Sequence, residues 1–409
     1  MLSDYIPEVR AQAQLREQCS GADLDGFSNW LAARHYAFST VRSYLFAVGE
    51  LAVWTEANSQ SRLEALDRTS LMDYRAYLSR RYRGKRGHES GNLLCGARSY
   101  LRFLRPAGDE PLGPALDPLE AGFHSWLREH RGVAQRTLDG YARIVRRLLS
   151  AIGNRPRRYT AAQLRAFVLA QAAGHSSSMA DTVVTSVRLF VRFLIIRQEC
   201  PEQLQHAIPR VARWSKATLP RYIAPDDVER IIAACDPSTA LGARDRAVLL
   251  LLARLGLRAG DVAGLRLTDI DWTNARLQVS GKTRRPTWLP LPQDAGDAIL
   301  HYLNNTRPRV DGDSVFLISR APYTPILTRQ ISSTAERAIR RSGVKTPSLG
   351  AHMLRHSAAT AWLRQGLTLQ AVGALLRHAS PDTTAIYAKV DRDLLRRIAQ
   401  PWPQEDSRC

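Results

Sequence analysis

Apolar residues in the first half of the chain recur three and four positions apart, the spacing of one helical face, while the two-residue alternation of a strand is scarce there. The pattern predicts a helical first half, and it repeats. Phe27-Ser28-Asn29-Trp30-Leu31 returns as Phe123-His124-Ser125-Trp126-Leu127, and Ser39-Thr40-Val41 with Tyr44 returns as Arg136-Thr137-Leu138 with Tyr141. Further on, Arg98, Tyr100 and Arg102-Phe103-Leu104 return as Arg188, Phe190 and Arg192-Phe193-Leu194. Order and approximate spacing survive in both copies, which reads as one small helical module present twice.

Between the copies, Pro106-Ala107-Gly108-Asp109-Glu110-Pro111-Leu112-Gly113-Pro114 cannot continue a helix and serves as a linker. After the second copy, Ile208 to Tyr222 holds Pro209, Pro220, Arg210, Arg213, Lys216 and Arg221 with no acid among them. An extended, positive connector of this kind suits a strap along a phosphate backbone. From Ala224 the pattern changes. Helices are expected from Pro225 through Cys235 and from about Arg244 to Leu255. Strands are expected at Arg276–Ser280 and Trp288–Leu291, with a candidate edge at Val315–Ile318. Helices then return at about Thr328–Ser342, Met353–Gln365, Leu369–Arg377 and Pro381–Val390. The expected organisation is a helical module at 1–105, a linker at 106–114, a second module at 115–206, a basic connector at 207–222 and a mostly α domain with a small antiparallel sheet at 223–409.

Composition narrows the class. The 409 residues allow two or three domains, and 44% hydrophobic with 23% charged residues excludes wholesale disorder. Against 38 acidic residues stand 58 Lys and Arg, a formal charge of +20. Such self-repulsion is relieved by a polyanion, so nucleic acid is the first partner to test and an acidic membrane surface the second. The longest nearly apolar run, Ala247 to Leu257, is broken by Arg254 and falls short of the roughly 20 residues that span a bilayer. The first residues show no secretory signal. Cys19, Cys95, Cys200, Cys235 and Cys409 form no C-x-x-C pair, which fits reduced thiols. The expectation is a cytoplasmic protein without a membrane segment.

Candidate chemistry lies in four stretches. Arg258 follows the apolar helix, and Asp261, three residues on, can lie beside its guanidinium and fix it, though such a pair alone is usually a surface ion pair. Gly281-Lys282-Thr283-Arg284-Arg285-Pro286 joins two strand candidates and puts Lys282 near a hairpin tip. His352-Met353-Leu354-Arg355-His356 opens a helix with His352 and Arg355 on one face. His352 and His356 also have the spacing of two zinc ligands, but the Glu of a metalloprotease helix is absent between them. Finally, Leu376-Arg377-His378 precedes Ser380, a good N-cap, Pro381, a good first helical residue, and Tyr387.

Together, Arg258, Lys282, His352-x-x-Arg355, His378 and Tyr387 resemble the tyrosine recombinases, the phage-integrase family of site-specific recombinases. The order of these residues, the nine-residue step from His378 to Tyr387 and the twenty-four-residue step from Arg258 to Lys282 carry the resemblance. It covers about residues 222 to 400, and residues 115 to 206 resemble the helical, SAM-like core-binding domain of such enzymes. The N-terminal copy has no sure counterpart there. Three departures stand out. Where many members read Leu-Gly-His this chain reads Leu376-Arg377-His378; Ala388-Lys389 replaces a common Thr-His; and the hairpin reads Gly-Lys-Thr-Arg-Arg-Pro where Gly-Lys-Gly-x-Lys is common.

The resemblance implies a mainly α fold with helical core-binding modules before a mixed catalytic domain. It implies that Tyr387 attacks a DNA phosphate to give a 3′-phosphotyrosine and a free 5′-hydroxyl. Arg258 and Arg355 would hold the nonbridging oxygens and Lys282 would protonate the leaving oxygen. His352 would assist at the tyrosine, His378 would bond the phosphate, and Asp261 would orient Arg258. No metal, ATP or other cofactor is required. DNA contacts are expected from Arg210, Arg213, Lys216, Arg221, Arg284 and Arg285. The implied assembly is a homotetramer on DNA, or an assembly with related recombinases, with Asp391 to Ile398 as a docking segment. The implied role is integration, excision or transposition of a mobile element in a bacterial cytoplasm. A type IB topoisomerase, and a DNA-binding accessory protein without catalysis, remain open at this point.

Overall fold

The computed structural model describes residues 1–19, 23–58, 63, 66, 68–82, 88–105, 117–133, 135–209, 221–280, 286–378 and 380–390. The linker at 106–114, the basic residues Arg210, Arg213, Lys216, Lys282, Arg284 and Arg285, and the docking segment from Asp391 lie outside the described residues. By contacts the described chain forms two units: residues up to Leu45 group with those from 221 onward, and Phe46 to Pro209 form the other. This grouping differs from the expected boundary at 106–114.

The N-terminal part of the first unit holds α1 (Leu2–Tyr5), α2 (Val9–Gln18), α3 (Leu24–Ala32) and the start of α4 (Phe38–Ala57). Asp23 caps α3 by accepting the Gly26 N–H at 2.6 Å. Leu24, Phe27 and Leu31 form its buried stripe. The His35 ring lies 6.1 Å from Tyr323, a contact between sequence-distant parts of this unit.

The second unit contains the rest of α4, then α5 (Arg68–Arg81), α6 (His88–Leu104), α7 (Pro118–Arg131), α8 (Gln135–Ile152), α9 (Ala161–Ala172) and α10 (Ser177–Ile196). The aromatic spacing seen twice in sequence is built twice: Phe27 stacks on Trp30 at 6.0 Å in α3, and Phe123 on Trp126 at 6.3 Å in α7. Phe123 also meets Phe190 and Phe193 edge-on at 5.4 and 5.8 Å, closing α7 onto α10. Glu120 is buried yet accepts Arg146 Nε at 2.9 Å, which satisfies a carboxylate otherwise costly to bury.

The C-terminal part of the first unit runs α11 (Pro225–Ala233), α12 (Ala240–Arg254), α13 (Ala259–Ala263), β1 (Ile270–Asp271), β2 (Arg276–Val279), β3 (Thr287–Pro290), α14 (Gln293–His301), α15 (Thr328–Ser342), α16 (Ala351–Arg364), α17 (Leu369–Leu375) and α18 (Pro381–Thr384). Val248 to Leu252 are all buried, so α12 is wrapped on every side, as its continuous apolar run requires. The sheet order is β1-β2-β3, antiparallel throughout, with Leu277 opposite Ile270 and Leu289. Leu277, Val279 and Leu289 face the core, matching the expected alternation.

Two expected elements differ. Val315–Ile318 is not a strand: its backbone is met piecemeal, Val315 N–H by the Leu265 carbonyl at 2.9 Å and Ile318 N–H by Thr324 at 3.0 Å, leaving isolated bridges. Pro381–Val390 is not one helix but α18 followed by a tighter 3₁₀ turn, Ala385–Val390, which carries Tyr387. No helix among the described residues is long and apolar enough to cross a membrane.

Arg244 anchors α12 from within. Its Nε and Nη2 donate to Asp245 at 3.0 and 2.6 Å and its Nη1 to the Leu317 carbonyl at 3.1 Å, while Asp245, 0% exposed, also receives Arg337 at 3.4 Å. Removing one partner of a buried pair strands the other charge. Asp245→Ala is expected to cost about 3–5 kcal/mol of stability in urea titration. A loss below about 1 kcal/mol, the range of a surface pair, would show that Arg244 finds other compensation.

Candidate active site

α12 ends at Arg254, and Gly256 turns the chain with φ +56°. A Cβ there would come within 3.0 Å of Leu376 Cδ2 and 3.1 Å of Trp362, so the turn and the close approach both require glycine. Arg258 follows as the N-cap of α13. Asp261 lies in the first turn, and its Oδ2 accepts the Arg258 backbone N–H at 3.1 Å.

The expected pairing of Asp261 with the Arg258 guanidinium is not what forms. Folded back on its own helix start, the carboxylate takes the backbone N–H of Arg258 and pairs with the guanidinium of Arg377. The Arg258 side chain leaves in another direction, its Nη2 donating to the Arg377 carbonyl at 3.0 Å.

Gly350, with φ +108°, leads into α16, which carries His352, Arg355 and His356 on successive turns. Arg355 is 3% exposed, and its two Nη atoms donate to the carbonyls of Gly256 and Leu376. The His352 and His356 rings meet edge-on at 4.2 Å. His356 Nδ1 shares a 2.6 Å hydrogen bond with the Tyr387 hydroxyl. The His378 ring lies nearly parallel to that tyrosine at 6.5 Å, its Nδ1 hydrogen-bonded to Thr384 Oγ1 at 2.7 Å. Tyr387 is 2% exposed, its ring against Ala359, Leu363, Val372 and Leu376, so the apolar body is sealed and the hydroxyl ends on a polar group.

Burial dominates the electrostatics. It pulls His356 down to about 4, helped by His352 and Arg355, and His378 to about 4, helped by Arg355 and Arg258. Burial, then the charges of Arg355 and Arg258, lowers His352 as well. Burial pushes the Tyr387 phenol up to about 12 against the opposing pull of Arg355. At neutral pH the site therefore offers neutral imidazoles able to accept a hydrogen bond, a protonated phenol, and guanidinium groups able to hold an anion.

Of the residues singled out from sequence, Arg258, Asp261, His352, Arg355, His378 and Tyr387 converge through these contacts. Arg221 is exposed and donates to the Pro347 carbonyl at 3.5 Å, outside this cluster. Three participants were missed: His356, weighed only for its zinc-like spacing, Arg377 and Thr384. His356 shares the helix face of His352, and Arg377 marks a departure from the Leu-Gly-His pattern, so both had a visible signal. Thr384 had none.

Residues 221–393 match the model of the Phage integrase family. A Sinorhizobium fredii protein described as an integrase/recombinase is 35% identical over 388 residues, spanning 93% of each chain. A second from the same organism is 30% identical over 98% of this chain and 96% of its own. Tyrosine recombinase XerD of Ralstonia nicotianae is 31% identical over 74% of this chain and 96% of its own. Among solved structures, the XerH site-specific recombinase bound to palindromic difH substrate aligns with a TM-score of 0.54 at 18% identity, over 82% of this chain and 97% of that one, a likeness of fold.

The three lowered histidines fix a pH dependence. Unfolded rings titrate near the ordinary 6.5, so between about pH 4 and 6.5 the unfolded chain binds more protons than the folded one, and stability falls as pH is lowered through that window. The melting temperature is expected to drop between pH 7 and pH 5, and to drop less in His356→Asn. A melting temperature that is flat or rises over this interval would show that these rings are not held neutral.

Proposed function

We propose, since this chain belongs to the phage integrase family of tyrosine recombinases and is a DNA strand transferase of site-specific recombination, that Tyr387 is its nucleophile. The observation that carries the assignment is the Tyr387 hydroxyl at 2.6 Å from a neutral His356, in one cluster with the Arg258 and Arg355 guanidinium groups. Breaking a phosphodiester without losing its energy to water requires a covalent ester that a second DNA hydroxyl can later attack. The Tyr387 oxygen forms a bond to the scissile phosphorus, the bond to the 5′-oxygen breaks, and a 3′-phosphotyrosine results.

Arg258 and Arg355 meet the nonbridging oxygens, whose charge grows in the transition state. Arg355 spends one N–H of each Nη on backbone carbonyls and keeps others for an anion. His352 or His356 takes the phenolic proton, His378 bonds the phosphate, and Lys282 supplies a proton to the leaving oxygen. Because only 2% of Tyr387 is exposed, the residue must turn out of its apolar slot before its oxygen meets a phosphorus. The segment that carries it, a short helix and a 3₁₀ turn, is a modest unit to displace.

The excess of 58 basic over 38 acidic residues supports a basic clamp on duplex DNA, to which Arg210, Arg213, Lys216, Arg221, Arg284 and Arg285 contribute. Four protomers acting on two duplexes, with the chain after Tyr387 docking on a neighbour, complete the reading. We assign the reaction to integration, excision or transposition of a mobile element, working on DNA in the cytoplasm. The N-terminal module offers contacts beyond those of a minimal recombinase, and the full-length relatives described as integrase/recombinase support this choice.

Tyr387→Phe is expected to bind DNA as the unaltered chain does and to form no covalent adduct on a nicked suicide duplex. An adduct in that variant would show the nucleophile is misassigned, and efficient relaxation of plasmid lacking any recognised site would favour a topoisomerase. If six to ten phosphates are contacted, affinity should fall about 10³–10⁵-fold between 50 and 200 mM salt. A flat salt response would remove the clamp.

A further inference from the structure

Arg377 stands where a backbone alone would ask for glycine. α17 ends at Leu375, and the Arg377 N–H bonds the Ala374 carbonyl at 2.9 Å while the His378 N–H bonds Gly373 at 3.0 Å. That pair of bonds is the Schellman closure, whose turning residue is left-handed, and Arg377 has φ +52°. A β-carbon makes this conformation unfavourable. The departure from Leu-Gly-His thus carries a conformational cost that the turn does not require.

The side chain adds a second cost. It is 10% exposed, and one Nη2 pairs with Asp261, itself 9% exposed. Its Nε and Nη1 are buried and have no hydrogen-bond partner among the described residues. Buried guanidinium N–H groups without acceptors are rare, and each implies either a defect or a group the protein does not itself supply. Around it the balance of charge is uneven. Arg258 rests on the Arg377 carbonyl and Arg355 on that of Leu376, so three guanidinium groups gather at one turn, with Asp261 the only carboxylate bonded there among the described residues. What fits is an anion with several acceptor oxygens.

We propose that Arg377 is a third phosphate-binding guanidinium of this active site, its Nε and Nη1 donating to the DNA phosphate held by Arg258 and Arg355. The proposal rests on the reading of Tyr387 as nucleophile of that phosphate. Asp261 then holds one arm of Arg377, while the other edge, closed to solvent in the free protein, opens to the phosphate when DNA binds. The cost of an arginine in the left-handed turn and of two unmatched donors is what the free protein bears, and the bound phosphate relieves it.

The test measures single-turnover cleavage of a nicked suicide duplex by the full chain, alongside binding by gel shift. One duplex carries an ordinary scissile phosphate and the other a methylphosphonate, in which a charged nonbridging oxygen is replaced by a methyl group. Arg377→Gly suits the turn better than the original residue but leaves the Asp261 carboxylate without its partner, so urea titration of every variant accompanies the assay and rates are compared only among variants that remain folded. Arg377→Gln keeps much of the length without charge, and Arg377→Lys keeps charge without the fork. Arg377→Gly and Arg377→Gln are expected to cleave the ordinary duplex about 10²-fold more slowly with binding nearly unchanged, the order seen when one transition-state donor is removed. The deficit should shrink markedly on the methylphosphonate, and Arg377→Lys should recover part of the rate. Equal deficits on both duplexes, or a glycine variant as fast as the unaltered chain, would assign Arg377 to structure alone and overturn the proposal. Failure of the unaltered chain to form any adduct would instead overturn the reading of Tyr387, and the proposal with it.

Discussion

The site is held together by the guanidinium of Arg355. A charge that is 3% exposed must find partners or it destabilises the fold, and Arg355 finds two carbonyls 120 residues apart, those of Gly256 and Leu376. One side chain therefore joins the end of α12, the middle of α16 and the end of α17. Each joined point leads directly into a residue of the candidate site: Arg258 lies two residues after Gly256, and Arg377 and His378 follow Leu376. Truncating Arg355 would do more than remove the phosphate contact proposed for it. It would leave two carbonyls without their donors and release three segments whose mutual positions define the site. The structural role and the proposed chemical one cannot be separated at this residue, because both fall on the same guanidinium.

Tyr387 presents a different balance. Its ring is sealed in the small cluster formed with Leu363, Val372 and Leu376, which holds the phenol protonated and away from solvent. The hydroxyl, however, meets His356 and not an apolar wall, so its one polar group is satisfied while the ring is stored. In the reading proposed above, a tyrosine kept in this way does not reach a stray phosphate. Release has to be driven by something that binds the exposed state better, and only differential affinity for the two states can supply that drive. DNA entering the arginine cluster, or a neighbouring protomer taking up the chain beyond Tyr387, would each meet that requirement.

Much of this was legible in the sequence because it rests on local rules. The continuous apolar run of Val248 to Leu252 announced a buried helix, the alternation of Arg276 to Val279 a half-buried strand, and the recurring Phe-x-x-Trp spacing two similar helices. Arg258, His352, Arg355, His378 and Tyr387 were legible as a set through their order along the chain. What escaped depends on long-range geometry. Asp261 faces Arg377, 116 positions away, and no spacing rule could prefer that partner over Arg258 three residues back. His356 was visible as one of a zinc-spaced pair, but its role depends on where the turn carrying Tyr387 is laid down, 31 positions later. The short strand Ile270–Asp271 and helix α14 went unrecognised, the strand being only two residues long, and Val315–Ile318 was mistaken for an edge because buried apolar residues in a bridged loop look like a strand.

The pattern of charges explains why such a site is worth its cost. Three guanidinium groups with one bonded carboxylate repel one another, and burial lowers the proton affinity of both Arg258 and Arg355. Neutral imidazoles ease this by adding no further positive charge, which is why lowered histidines and crowded arginines belong to the same design. A phosphodiester relieves the repulsion, and it does so most fully when bond formation spreads more negative charge onto its oxygens. In the reading proposed above, this crowding of positive charge favours the transition state over the ground state, because the negative charge that offsets it is largest there. Replacing the arginines by well-packed apolar side chains would relieve that strain and raise stability at the expense of chemistry, which is the ordinary trade between a stable site and a reactive one.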